Sequence, residues 1–175
     1  MANGKRMVVD MLIAAYLLIV VIIFCVMRFM NKDKATAKYD EMQELIRGKA
    51  YKYAFWTVCL VEVGVLVLGT TGVELPFENE TLQFIIILIG IVVHTTYSIW
   101  HNAYIGLNTN VKRYTIVCAL IAALNFLNAF IAIRSGELFE NGKFGFAFIN
   151  LFIGVIFVAV AAEIFVRNRI DAGEE

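Results

Sequence analysis

Three polar residues near the centres of three separate apolar stretches are the chain's best candidates for chemistry. Glu62 lies ten residues past Lys52, about 15 Å along a helix, and so near mid-bilayer. His94 lies about as deep from the cytoplasmic end of its own stretch, and Asn125 eleven residues into the next. An ionisable residue within a membrane span is costly, which makes it a functional candidate. If the three faces converge, Glu62 accepts a hydrogen bond from His94 or Asn125.

The stretch around His94 extends the theme. His94, Tyr97, Ser98 and His101 share one face by helical spacing. Together Glu62, His94, Tyr97, Ser98, His101 and Asn125 form a candidate polar cavity or proton-linked site opening toward the cytoplasm. The same residues also suit interhelical hydrogen bonds, worth about 0.6 kcal/mol on average. The pattern leaves both readings open. His94 and His101 lie about 10 Å apart along a helix, too far to share one metal ion. No metal and no cofactor is expected. Ser98 has histidines at i−4 and i+3, which do not make a nucleophile, base and orienter. There is no GxxxxGK[ST], HExxH or GxSxG, and the reading is of a protein that is not an enzyme.

Five apolar stretches must position these residues: 7–30, 53–73, 82–105, 114–133 and 146–166. Each is close to the roughly 20 residues that cross a bilayer as a helix. Apolar residues make up 61% of the 175-residue chain, and mean hydropathy is +0.76. The expected fold is an all-α integral membrane bundle of five transmembrane helices, with one domain covering the whole chain. Pro76 is the only proline and lies between spans. The unbroken spans argue against the discontinuous helices of many transporters. The first span is long and lacks a small-x-small cleavage site, so it reads as a permanent helix rather than a signal peptide.

Zero net charge hides an asymmetry that gives orientation. The first linker carries Lys32, Lys34, Lys38, Arg47, Lys49 and Lys52; the third loop has Lys112 and Arg113, and the tail has Arg167 and Arg169. The second loop has Glu74, Glu78 and Glu80 and no base. Positive charge stays on the cytoplasmic side. The N-terminus is therefore expected outside and the C-terminus inside, with only Lys5 and Arg6 dissenting. Nothing points to a nucleic-acid partner. Cys25, Cys59 and Cys118 all fall within spans and give no disulfide framework.

Residues 35–52 read as a cytoplasmic amphipathic linker helix. Met42, Leu45, Ile46, Ala50 and Tyr53 recur at helical spacing, opposite Asp40, Glu41, Glu44 and Arg47. Gln43 and Glu44 can pair with Arg47 across a turn, and Gly48 is the expected bend into the second span. The linker either hugs the inner membrane surface or presents Met42, Leu45 and Ile46 as a docking face. The segment D-E-M-Q-E-L-I-R-G-K-A-Y-K-Y, from Asp40 to Tyr53, resembles one in small multi-pass membrane proteins of Firmicutes, approximately D-E-R-Q-x-x-x-R-G-K-A-Y-x-Y. It departs from that pattern at Met42. The resemblance implies a bacterial cytoplasmic membrane and no particular activity.

Small residues give the packing logic. Cys118, Ala122, Asn125, Ala129 and Ala132 make one stripe, and Ala147, Asn150, Gly154 and Ala161 another. They pack on each other or on a second copy in a homo-oligomer. Asp10 and Glu163 lie near membrane ends, where water and headgroups solvate them. Two functions remain in contention. One is a non-enzymatic membrane protein acting through cytoplasmic or membrane partners, as a regulatory, sensory or immunity-type subunit. The other is a small-molecule or ion carrier, or a substrate-binding transporter subunit, using the midplane residues.

Overall fold

The computed structural model describes residues 38–107 and 109–173. The first expected span, with Asp10 and Cys25, and Lys32 and Lys34 of the linker lie outside the described residues. Four helices follow: α1 (Glu41–Thr70), α2 (Asn79–Trp100), α3 (Val111–Ser135) and α4 (Phe148–Asp171). All four are long and apolar enough to cross a membrane. The protein is an all-α membrane bundle, and large apolar side chains such as Leu60, Leu66, Leu120 and Leu124 cover its outside. That is the surface lipid requires.

Helix α1 corrects the expected linker. Asp40 caps it through a capping box: the Asp40 carboxylate accepts from the Gln43 backbone N–H at 2.6 Å, and Gln43 Oε1 accepts from the Asp40 N–H. From there the helix runs unbroken through Gly48 to Thr70, over 30 residues or about 45 Å. Among the described residues the expected linker and the second span are one continuous helix, and Gly48 does not interrupt it. A lone glycine lowers helix stability by only about 1 kcal/mol, and continuous packing on α2 exceeds that. The expected docking face is divided. Ile46 is buried with Gln43 and Ala50, while Met42 and Leu45 point outward. Arg47 pairs with neither Gln43 nor Glu44 as its main contact; its guanidinium lies 4.0 Å over the Tyr39 ring.

α1 packs on α2, α2 also on α4, and α4 on α3. Close approach depends on small residues at two seams. A Cβ on Gly90 of α2 would sit 2.5 Å from Val58 Cγ2 of α1, and one on Gly154 of α4 would sit 2.9 Å from the Phe126 ring of α3. The α3 stripe is buried as expected at Cys118, Ala122, Ala129 and Ala132. It is spent on packing within the chain. Ile99, Cys118, Val160 and Ile164 form a buried cluster toward one end.

The antiparallel run of the helices collects the basic residues at that end. It holds the start of α1, the end of α2, the start of α3 and the end of α4. The opposite end carries Glu74, Glu78, Glu80, Glu137 and Glu140. There the chain makes a small hairpin that the hydropathy pattern does not reveal: Phe139–Glu140 pairs with Lys143–Phe144. Asn141 and Gly142 both have positive φ, 52° and 80°, which suits a tight hairpin turn. The hairpin ties back to the α1–α2 loop, because Glu78 N–H donates to the Phe144 carbonyl and Phe144 N–H to the Pro76 carbonyl. Gly136, at φ 78°, ends α3 in the left-handed conformation and bonds back to Ala132.

Candidate functional site

The α1–α2 seam is polar at both ends and apolar between them. Toward the acidic end, Gln83 Nε2 donates to Glu62 Oε1 at 3.4 Å. Toward the basic end, the Tyr51 and His94 rings lie 4.2 Å apart, and Tyr53 meets Tyr97 edge-on at 5.0 Å. Between these pairs Gly90 presses on Val58. Gln83 and His94 are eleven residues apart on one helix, about 16 Å.

Glu62 and His94 therefore do not share a depth, and the expected midplane set does not assemble. The sequence expectation measures depth from the ends of the apolar stretches, near Lys52 and Ile105. In fact α1 begins at Glu41, α2 stops at Trp100, and the two run antiparallel. That register puts Tyr51, flanked by Lys49 and Lys52, beside His94. His94 therefore sits beside a stretch of α1 that carries two lysines, well away from Glu62. Its Nε2 is buried without a hydrogen-bond partner.

The remaining members are dispersed. Ser98 is buried and donates its hydroxyl to the His94 carbonyl one turn back. His101 has left the helix; its ring stacks on Tyr97 at 4.1 Å and bonds the Tyr97 carbonyl. Asn125 is on α3, where its amide donates to the Ile121 carbonyl of its own helix. It does not meet Glu62 or His94. Among the described residues, no three His, Cys, Asp or Glu side chains come together as a metal set.

Glu163 behaves differently from the interfacial role expected of it. It faces α2, where Thr96 Oγ1 donates to its Oε1 at 3.0 Å, and its Oε2 is buried without a partner. One turn further along α4 is Arg167, again on the α2 side. Its Nε donates to Asn102 Oδ1 at 3.0 Å, and its Nη2 lies 2.8 Å from Asp171 Oδ1. The α2–α4 seam thus carries two polar contacts near the basic end.

Asn102 is the junction of this end. It has φ 56°, a left-handed position that Asn tolerates better than most residues. Its carbonyl accepts from Gln43 Nε2 of α1 at 2.6 Å, while its side chain takes Arg167 of α4. The loop beyond it is braced by Tyr39 Oη on the Tyr104 carbonyl and by the Tyr104–Tyr114 hydroxyl pair at 2.7 Å. Beneath the loop is a cavity of about 230 Å³. The sequence reading missed this junction. The available signals were an Asn just past a helix end and an Arg one turn after a membrane Glu. No family model, curated protein or solved structure is recognisably similar to the chain.

Proposed function

We propose that this is a non-enzymatic multi-pass membrane protein that acts through a protein partner at its basic end, as a regulatory, sensory or immunity-type subunit. The observation that carries the reading is the first third of α1. Met42 and Leu45 stand 64% and 55% exposed on a helix fixed at its start by a capping box and by Gln43 on Asn102. Two apolar side chains one turn apart on a rigid, charged helix are a helix-recognition pattern. Ile46 belongs to the fold rather than to this face, so the docking pair is Met42 and Leu45.

The excess of Lys and Arg at this end supports a cytoplasmic location for it, with the C-terminus inside. The likeness of residues 40–53 to small membrane proteins of Firmicutes supports a bacterial cytoplasmic membrane. The carrier reading, which needs Glu62, His94 and Asn125 at one site, draws no support from their separate positions.

Photoreactive residues at Met42 and Leu45 of the full chain, in its host membrane, test the proposal against a lipid-facing control at Leu60. One discrete protein adduct is expected at 42 and 45 and not at 60. Leu45→Lys should remove it while thermal stability is unchanged. Lipid adducts alone at all three positions would overturn the reading.

A further inference from the structure

We propose that the cavity beneath the α2–α3 loop binds a phosphate-bearing anion, either the headgroup of a lipid or a small phosphate ester. This rests on the cavity itself and not on the partner reading. Its lining combines two chemistries: apolar residues, among them Ile99, Val111 and Ile164, and polar ones, Asn102, Arg167 and Asn168. A space of about 230 Å³ is smaller than the roughly 300–1,000 Å³ of drug-sized and cofactor pockets. It takes a headgroup or a phosphate with a few carbons.

Arg167 is set up as the anion contact. Its side chain is 24% exposed and is held along one edge by Asn102 and Asp171. Those bonds use the Nε proton and one Nη2 proton, which leaves the Nη1 protons and the second Nη2 proton for an acceptor. A guanidinium fixed on one edge presents the other in a planar fork that matches two phosphate oxygens. Asp171 offsets part of its charge, but the surroundings add more. Helix α3 starts in the cavity wall at Val111, has no acid in its first turn, and carries Lys112 and Arg113 there. Its free N–H groups contribute partial positive charge on the same side.

The cavity is preorganised rather than an accident of loop placement. Asn102 is tied to both α1 and α4, Ala103 N–H bonds the Ser98 carbonyl at 2.8 Å, and Thr109 N–H bonds the Gly106 carbonyl at 2.9 Å. Tyr104 lines it and meets Tyr114 edge-on, two amphipathic rings of the kind that favour the headgroup level. A ligand with a charged head and a few apolar carbons matches this mixed lining.

The test uses the full chain in a phosphate-free maltoside micelle. Phosphatidylglycerol, glycerol 3-phosphate and inorganic phosphate are titrated separately, and binding is read by native mass spectrometry and by thermal shift. Saturable binding of at least one probe is expected, weakened tenfold or more in Arg167→Gln. Leu107→Trp, at an exposed position that borders the cavity, should weaken it similarly without disturbing the Arg167 contacts. Arg169→Gln, whose guanidinium lies over Phe165, should bind as the parent does. Binding of the lipid alone identifies a headgroup site, and binding of the water-soluble esters identifies a soluble ligand. No binding of any probe, or equal binding in Arg167→Gln and Leu107→Trp, would overturn the proposal.

Discussion

Gln43 and Asn102 hold two helices together at the basic end: the Gln43 amide donates to the Asn102 carbonyl at 2.6 Å. The same Gln43 completes the capping box with Asp40, so one buried side chain both starts α1 and ties it to the α2–α3 loop. Gln43→Leu should lower stability by about 0.5–1.5 kcal/mol, since it removes the bond that ties α1 to the loop while the exposed Asn102 carbonyl can turn to water. Asp40→Ala removes only the cap and should cost about 0.5–2 kcal/mol. Thermal unfolding in detergent measures both. Amide exchange separates them, because only Gln43→Leu should speed exchange at residues 101–107. Equal protection of that loop in the two variants would remove the tie from the account.

Gly90 marks a point of close approach in the α1–α2 seam. A methyl group there would lie 2.5 Å from Val58 Cγ2, so Gly90→Ala should destabilise the bundle by about 1–3 kcal/mol. Gly64 is also inside a helix, yet a Cβ there meets nothing within 4 Å. Gly64→Ala should therefore stabilise the protein by about 0.5–1 kcal/mol through backbone entropy alone. Opposite signs for two identical substitutions are the expected result. Val58→Ala should partly rescue Gly90→Ala, by opening the space the new methyl needs.

Helix number and rough position were legible in the hydropathy of residues 53–166, since three of the four observed helices begin and end within a few residues of the apolar stretches. Depth and rotation were not. A membrane helix is apolar on its lipid side as well as its protein side, so the amphipathic signal that orients a soluble helix is nearly lost. The ends of the apolar stretches do not coincide with the ends of α1 and α2, so distance along them places Glu62 and His94 at a common depth that the helices do not share. Two local signals would have corrected this. The D-x-x-Q of Asp40 and Gln43 marks a helix start before the apolar run, and Asn141-Gly142 marks a hairpin in the loop that follows α3. The cavity was invisible because Asn102 and Arg167 are 65 residues apart.

Thr96 and Glu163 form a contact whose value depends on both partners. Thr96→Val leaves a half-buried carboxyl group with neither oxygen hydrogen-bonded, and should cost about 1–3 kcal/mol. Glu163→Gln keeps an oxygen that accepts from Thr96 and should cost less. Replacing both partners, as Thr96→Val with Glu163→Leu, should recover most of the loss, because no polar group is then stranded. The double-mutant cycle in detergent reads the coupling directly. Additive losses would mean that the two side chains act separately.

At the acidic end, the hairpin offers a comparison between charge and packing. Lys143 Nζ lies 3.2 Å from Glu74 Oε2, but the Glu74 side chain is 82% exposed. Exposed pairs of this kind contribute about 0–1 kcal/mol and are screened by salt. Phe144, the neighbouring residue, has its ring 4.5 Å from Phe139, 4.6 Å from Phe148 and 5.5 Å from Phe77. Its backbone also bonds the Pro76 carbonyl and the Glu78 N–H, so it joins the α1–α2 loop, the hairpin and the start of α4. Lys143→Ala should leave thermal stability within about 0.5 kcal/mol of the parent, with any loss vanishing at high salt. Phe144→Ala should cost about 3 kcal/mol or more, less whatever the loops recover by closing over the gap. It should also expose Pro76–Glu78 and Phe139–Gly142 to proteolysis together, since one ring holds both segments. Cleavage confined to the hairpin would show that the α1–α2 loop is held by its backbone hydrogen bonds alone.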